Sequence, residues 1–63
     1  MSKISLKAAR VNANLSQGEA AEHVGVATST LRNWENGITY PDAVQFMTLC
    51  NLYGVSCDNI FLK

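Results

Sequence analysis

Apolar residues recur at helical spacing through the middle of the chain, in two runs separated by a glycine. Ala20, Ala21 and Val24 mark one face of a helix over Gln17 to Val24. Val26, Leu31 and Trp34 mark the inner face of another over about Thr28 to Asn36, with Thr28, Ser29, Arg32 and Asn33 pointing outward. Gly25 divides them, because only glycine enters the left-handed region without a Cβ penalty. The segment Ser16 to Glu19 reads as a capping box, in which the serine hydroxyl accepts from the Glu19 amide and the Glu19 carboxylate from the Ser16 amide. The same pattern predicts a first helix from Ser2 or Ser5, as N-cap, to about Asn12 or Ala13, burying Leu6, Ala9 and Ala13, with Asn14 in the turn behind it. A fourth helix opens at Asp42 with Gln45 as its box partner and stops at Gly54; Pro41 keeps Tyr40 out of helix before it. Its stripe of Ala43, Phe46, Leu49, Cys50 and Tyr53 is expected to pack under the first and third helices, with Val44, Met47 and Leu52 off the stripe. Ser56 caps a short fifth helix whose end carries Ile60, Phe61 and Leu62. The expected fold is all-α, five helices in one domain over residues 1–63.

Several fragments, none decisive singly, carry a family resemblance by their joint order. They are Leu6 and Arg10, L-S-Q at Leu15 to Gln17, A-x-x-x-G-V at Ala21 to Val26, W-E-N-G at Trp34 to Gly37, Pro41, and G-V-S-x-D at Gly54 to Asp58. The chain resembles the phage repressor and Cro-type (XRE-like) helix-turn-helix family, which lays its second motif helix in the major groove of DNA. The resemblance implies a small bacterial or phage transcriptional regulator that binds duplex DNA as a homodimer. It places Thr28, Ser29, Arg32 and Asn33 at base edges, where arginine suits guanine, asparagine suits adenine and the threonine methyl suits thymine. Arg32 has the alternative of holding a phosphate. Gln17, at the start of the second helix, is implied to bind a phosphate and brace the reading helix; a solvated first-turn residue is the plainer alternative. Arg10 and Glu35 occupy positions that pair in some members, and Arg10 has phosphate contact as its alternative. Asn36 and Gly37 fall where members offer a side-chain amide and a backbone N–H to phosphate, although Asn36 also suits a helix C-cap. Ala27 departs from the family's usual Ser or Thr: either its backbone alone serves the phosphate strand, or Thr28 takes over the cap. Tyr40 reaches a phosphate or covers the core edge.

Composition changes this picture at few points. Sixty-three residues leave little room for an enzyme pocket inside so small a core, and no nucleophile elbow, phosphate-cradling glycine loop or acid–base carboxylate pair is present. The chain is read as a binding module, not an enzyme. Five Lys and Arg against five Asp and Glu give no net charge, which argues for weak nonspecific attraction to phosphates. It also gives some weight to an alternative: an antitoxin-like or anti-repressor interaction module on the same fold. The two cysteines, C-x6-C with a distant His23, have no metal-finger spacing. Neither a metal nor a cofactor is expected. The N-terminal M-S-K-I-S has no apolar secretion core and no run is long enough to span a membrane, so the expected location is the cytoplasm. There a disulfide is disfavoured: Cys50 reads as a small apolar core residue and Cys57 as the thiol more open to oxidants. The unpaired apolar surface at Ile60, Phe61 and Leu62 is the expected dimer interface.

Overall fold

The computed structural model describes residues 3–62. Four α-helices, α1 (Leu6–Asn12), α2 (Gln17–Val24), α3 (Thr28–Glu35) and α4 (Ala43–Tyr53), are followed by a single 3-10 turn at Cys57–Asn59. Two short strands, β1 (Ile4–Ser5) and β2 (Ile60–Phe61), pair in parallel, with Ile4 opposite Ile60 and Ser5 opposite Phe61.

Each helix start is fixed by side-chain chemistry except one. Ser5 caps α1 by accepting from the Ala8 amide at 3.1 Å; Ser2, the other expected cap, lies outside the described residues. Both capping boxes are complete, Ser16 with Glu19 and Asp42 with Gln45, at 2.8–3.1 Å. The amide of Ser16 and its hydroxyl, in that order, hold the Glu19 carboxyl below its usual range. The exception is α3, whose cap is Ala27 with no side-chain acceptor. Gly25 and Gly54 end α2 and α4 at φ of 84° and 70°, the left-handed stop that closes a helix without strain.

The core is built from Leu6, Ala9, Ala20, Ala21, Leu31, Trp34, Leu49, Cys50, Tyr53 and Ile60. Leu31 and Leu49 are wholly enclosed. Three departures from the sequence pattern bear on function. The expected fifth helix is only the 3-10 turn, after which the chain extends and β2 completes a strand pair with the segment before α1. Two-residue strands are too short to leave an alternation, and their partner lies at the other end of the chain. Ile60 is consequently buried in the core of the same molecule at 5 % exposure, while Phe61 and Leu62 remain 44 % and 39 % exposed. Finally, α4 packs on α2 and α1 more than on α3, and Ala43, at the first position of α4, is exposed; its buried stripe begins a turn later.

One polar contact crosses this apolar frame. Arg10 and Glu35 are 8 % and 7 % exposed, and Arg10 Nε donates to Glu35 Oε2 at 2.8 Å, with a longer Nη2 bond to Oε1 at 3.4 Å. Arg10 Nη1 donates to the Leu15 carbonyl at 2.8 Å, and Gln17 Nε2 to Glu35 Oε1 at 3.0 Å. The network ties the end of α3 to α1, to the α1–α2 turn and to the first residue of α2.

Tyr53 is buried close to this pair, and its hydroxyl has no hydrogen-bond partner. Burial, then the nearby Glu35 carboxylate, push its phenol up to about 12 against the opposing pull of Arg10. Burial likewise pushes the Cys50 thiol up to about 12.

Two expectations follow from the buried polar groups. Arg10→Met or Glu35→Leu alone leaves the other charge buried with part of its network gone and should cost about 3 kcal/mol; the double variant should cost clearly less. Denaturant unfolding of the four proteins checks this, and additive losses would show that the two side chains are not coupled. Tyr53→Phe removes a hydroxyl that bonds to nothing, so at neutral pH it should change stability by less than about 1 kcal/mol. Because Tyr53 and Cys50 hold their protons to higher pH when folded, stability is whole below the ordinary thiol value of 9.0 and falls as pH rises toward 12 while the unfolded chain ionises. The melting temperature of Tyr53→Phe should therefore fall less steeply above pH 10.0 than that of the parent.

Candidate functional site

α2, the Gly25 turn and α3 form a helix-turn-helix whose outer surface is polar. The turn is closed by Gly25 and Val26, whose amides donate to the Ala21 carbonyl at 2.9 and 3.0 Å. Leu31 and Trp34, 0 % and 4 % exposed, seat α3 on the core from behind. With that face anchored, Ala27, Thr28, Ser29 and Arg32 stand on the exposed side. Asn33 is only half-exposed, and its carbonyl accepts from the amides of Ile38 and Thr39 at 2.9 and 3.4 Å. It sits at the edge of the outward face, where α3 gives way to the following loop.

At the start of α3, Thr28 does not take over the cap. Ala27 holds the extended cap conformation, φ −69° and ψ 150°, and Thr28 is the first helical residue. Its hydroxyl is therefore not spent on the cap. The amides of Thr28 and Ser29 meet no capping side chain, so the positive end of the helix is presented as bare backbone. Gly18, in the first turn of α2, lies across from this end: a Cβ built there would be 4.0 Å from Thr28 Oγ1. The starts of α2 and α3 thus adjoin at the surface.

At the other end, Asn36 is the C-cap of α3 in right-handed conformation, and its side chain belongs to an exposed residue. Gly37 follows at φ 75°. Its amide closes the turn on the Trp34 carbonyl at 3.3 Å, so this N–H is already engaged, through a long bond, within the helix terminus. Tyr40 is 54 % exposed in the loop before α4.

Gln17 joins the start of α2 to the buried network. One hydrogen of its amide nitrogen goes to Glu35 Oε1; an amide has a second. The resemblance implies that Gln17 braces the third helix but does not name its partner: Gln17 and Glu35 stand 18 positions apart, at the first residue of α2 and the last of α3, and only the packing of the two helices brings them together. Arg10, by contrast, is enclosed and committed to Glu35 and Leu15, which excludes it from an outward role.

The charges are sparse. Lys3, Lys7 and Arg32 are the exposed cations among the described residues, and Arg32 is the one carried by α3. On α2, Glu19, Glu22 and His23 border a shallow surface depression open to solvent. No group of three or more His, Cys, Asp or Glu among the described residues is placed to hold a metal ion, and no helix is long and apolar enough to cross a membrane.

Similarity to known proteins agrees with this architecture. The family described as Helix-turn-helix matches residues 6–60. The HTH-type transcriptional regulator ImmR of Bacillus subtilis (strain 168) is 40 % identical over 58 residues, 92 % of this chain and 46 % of that protein. The chain thus spans about half the length of the curated relative it matches. No solved structure matches it significantly. With the motif helices, the left-handed Gly25 turn and a family match running from α1 to β2, the chain belongs to the repressor and Cro-type (XRE-like) helix-turn-helix family.

Proposed function

We propose that this chain binds duplex DNA sequence-specifically as a transcriptional regulator, with α3 in the major groove. The observation that carries the reading is the division of α3 into two faces: Leu31, Trp34 and Glu35 are held in the fold, and Thr28, Ser29 and Arg32 project from it on a rigid support. Such a helix offers side chains to base edges on a backbone that is already ordered. The relative named as a transcriptional regulator adds to the same reading.

In this reading Arg32 and Asn33 supply base contacts, one suited to guanine and one to adenine, and Thr28 and Ser29 meet the groove at the start of the helix. Gln17 donates its remaining amide hydrogen to a phosphate while its first keeps hold of Glu35. The uncapped amides that follow Ala27, the Asn36 side chain and Tyr40 line the flanking strand; Gly37 serves through its amide only by giving up the 3.3 Å bond to Trp34. Arg10 and Glu35 position α3 and read nothing. The protein acts in the cytoplasm, where its DNA is.

One domain of this size reads few base pairs, and a two-fold dimer reads two half-sites one helical turn apart. The exposed Phe61 and Leu62 supply the pairing surface, adjoining the strand pair, with Ile60 behind them as core. Zero net charge and the further exposed Val44 and Met47 favour a second reading, a protein-interaction module on the same fold.

Selection of bound sequences from random duplex should return a palindromic consensus. On that operator, Arg32→Ala and Asn33→Ala should each lose roughly 1 to 3 kcal/mol at one base position and relax the preference there. Gln17→Ala should weaken all duplexes alike. The slope of log affinity against log salt should correspond to about two to four phosphates per subunit, shallow because α3 carries a single cation. If the parent prefers no duplex and a co-purifying protein binds across α3, the interaction-module reading replaces this one. Separately, Phe61→Asp should lower the dimer population in sedimentation and the operator affinity with helical content retained. Unchanged sedimentation would remove the C-terminal end as the interface.

A further inference from the structure

Asn36 and Gly37 form the one place in the chain where glycine follows asparagine, and the fold sets them at the exposed end of α3. Asn36 is an exposed residue, and Gly37 brings no side chain to crowd its own backbone nitrogen. Three backbone hydrogen bonds hold the residues that follow. The Gly37 amide donates to the Trp34 carbonyl at 3.3 Å, and the Ile38 and Thr39 amides donate to the Asn33 carbonyl at 2.9 and 3.4 Å. Two of the three are longer than such bonds usually run, and the side chains of Ile38 and Thr39 are exposed. Gln17 also precedes a glycine, but its longer side chain must close a larger ring, and both Gln17 and Gly18 lie inside α2.

We propose that Asn36 is a site of spontaneous deamidation, and that the closed turn at the end of α3 sets its rate. The Gly37 nitrogen attacks Asn36 Cγ; the new C–N bond closes a succinimide ring, the Cγ–Nδ2 bond breaks, and the Gly37 amide proton leaves with the departing NH2 as ammonia. Water then opens the ring at either carbonyl, its hydroxyl going to carbon and its proton to nitrogen. Breaking the bond to Cγ gives aspartate, and breaking the bond to the main-chain carbonyl gives isoaspartate. Ring closure needs the Gly37 nitrogen on the same side as Cβ about the Cα–C bond, which for an L-residue is a ψ of about −120°. Asn36 rests at ψ −2°, and the hydrogen on that nitrogen is directed at Trp34. The closed turn therefore holds the nucleophile away, and reaction proceeds from the molecules in which the turn has opened. Either product places a carboxylate beside Glu35, at the negative end of α3. On the DNA-binding reading, on which this last consequence alone rests, the new charge also faces the phosphate strand and weakens operator binding.

The test is to age the folded full chain in mildly alkaline buffer beside the same chain in guanidinium chloride, and to locate by fragmentation the residue that has exchanged NH2 for OH. The product should appear at Asn36 in both, roughly tenfold or more slowly in the fold, as a mixture of aspartate and isoaspartate. Ile38→Pro, which removes the shortest of the three bonds at an exposed position, should retain helical content and speed the folded reaction severalfold. Asn36→Gln should abolish the product in both solvents. The proposal is overturned if folded and denatured chains react alike, if the folded chain acquires no product, if another residue reacts first, or if Ile38→Pro, still folded, reacts no faster. On a selected operator, Asn36→Asp should bind severalfold less tightly than Asn36→Gln. Equal affinity of those two would remove the consequence for binding, whereas a parent that prefers no duplex would fail the DNA-binding reading and leave the chemistry at Asn36 standing.

Discussion

The Arg10–Glu35 ion pair is the contact on which the placement of α3 depends. Apolar burial of Leu31 and Trp34 holds α3 against the core, but apolar contact is not directional and leaves rotation and sliding of so short a helix weakly opposed. A charged, hydrogen-bonded pair is directional. Glu35 stands on the last residue of α3 and meets Arg10 of α1 and Gln17 of α2 at once, so the C-terminal end of the helix has one position that satisfies all three. Taking two charges out of water is costly, and a packed apolar pair would offset that cost without specifying the angle of the helix. Arg10 spends a third donor on the Leu15 carbonyl, which fixes the turn between α1 and α2 by the same interaction.

The same pair takes one of the few cations out of the surface and leaves the outer face of α3 polar but weakly charged. Of the cations, Arg10 is committed inside, and the outward side of α3 is left with hydroxyls, amides, backbone N–H groups and Arg32. Such a surface exerts little long-range attraction on a charged partner, and binding through it would rest on short contacts made in register. Rigid placement of α3 is therefore of more consequence here than in a strongly basic domain, where charge holds the complex together even when geometry is loose.

Much of the fold is legible in the sequence because the signals are local. Ser16 with Glu19 and Asp42 with Gln45 announce two helix starts, Gly25 and Gly54 two ends, and the phase of Leu31 and Trp34 assigns the inner side of α3. What escaped is nonlocal. β1 and β2 are two residues each and join opposite ends of the chain, so no periodicity marks them, and the final segment reads as helix until the pairing of Ile4 with Ile60 is known. Ile60 consequently passes from expected interface to core. In the site, the outward phase of the α3 residues follows from spacing, whereas the partnership of Arg10 and Glu35 comes from resemblance, and the Gln17–Glu35 bond requires the packed structure.

The strand pair also spans almost the whole described chain. Helices closed by their own caps need only neighbouring residues, whereas Ile4 and Ile60 meet across a loop of nearly the whole described chain. Ser5 belongs to that pair and is at the same time the cap of α1. The contact of longest reach is thus joined to the first turn of the first helix, so that opening the strand pair would also free the cap of α1, the element that carries Arg10.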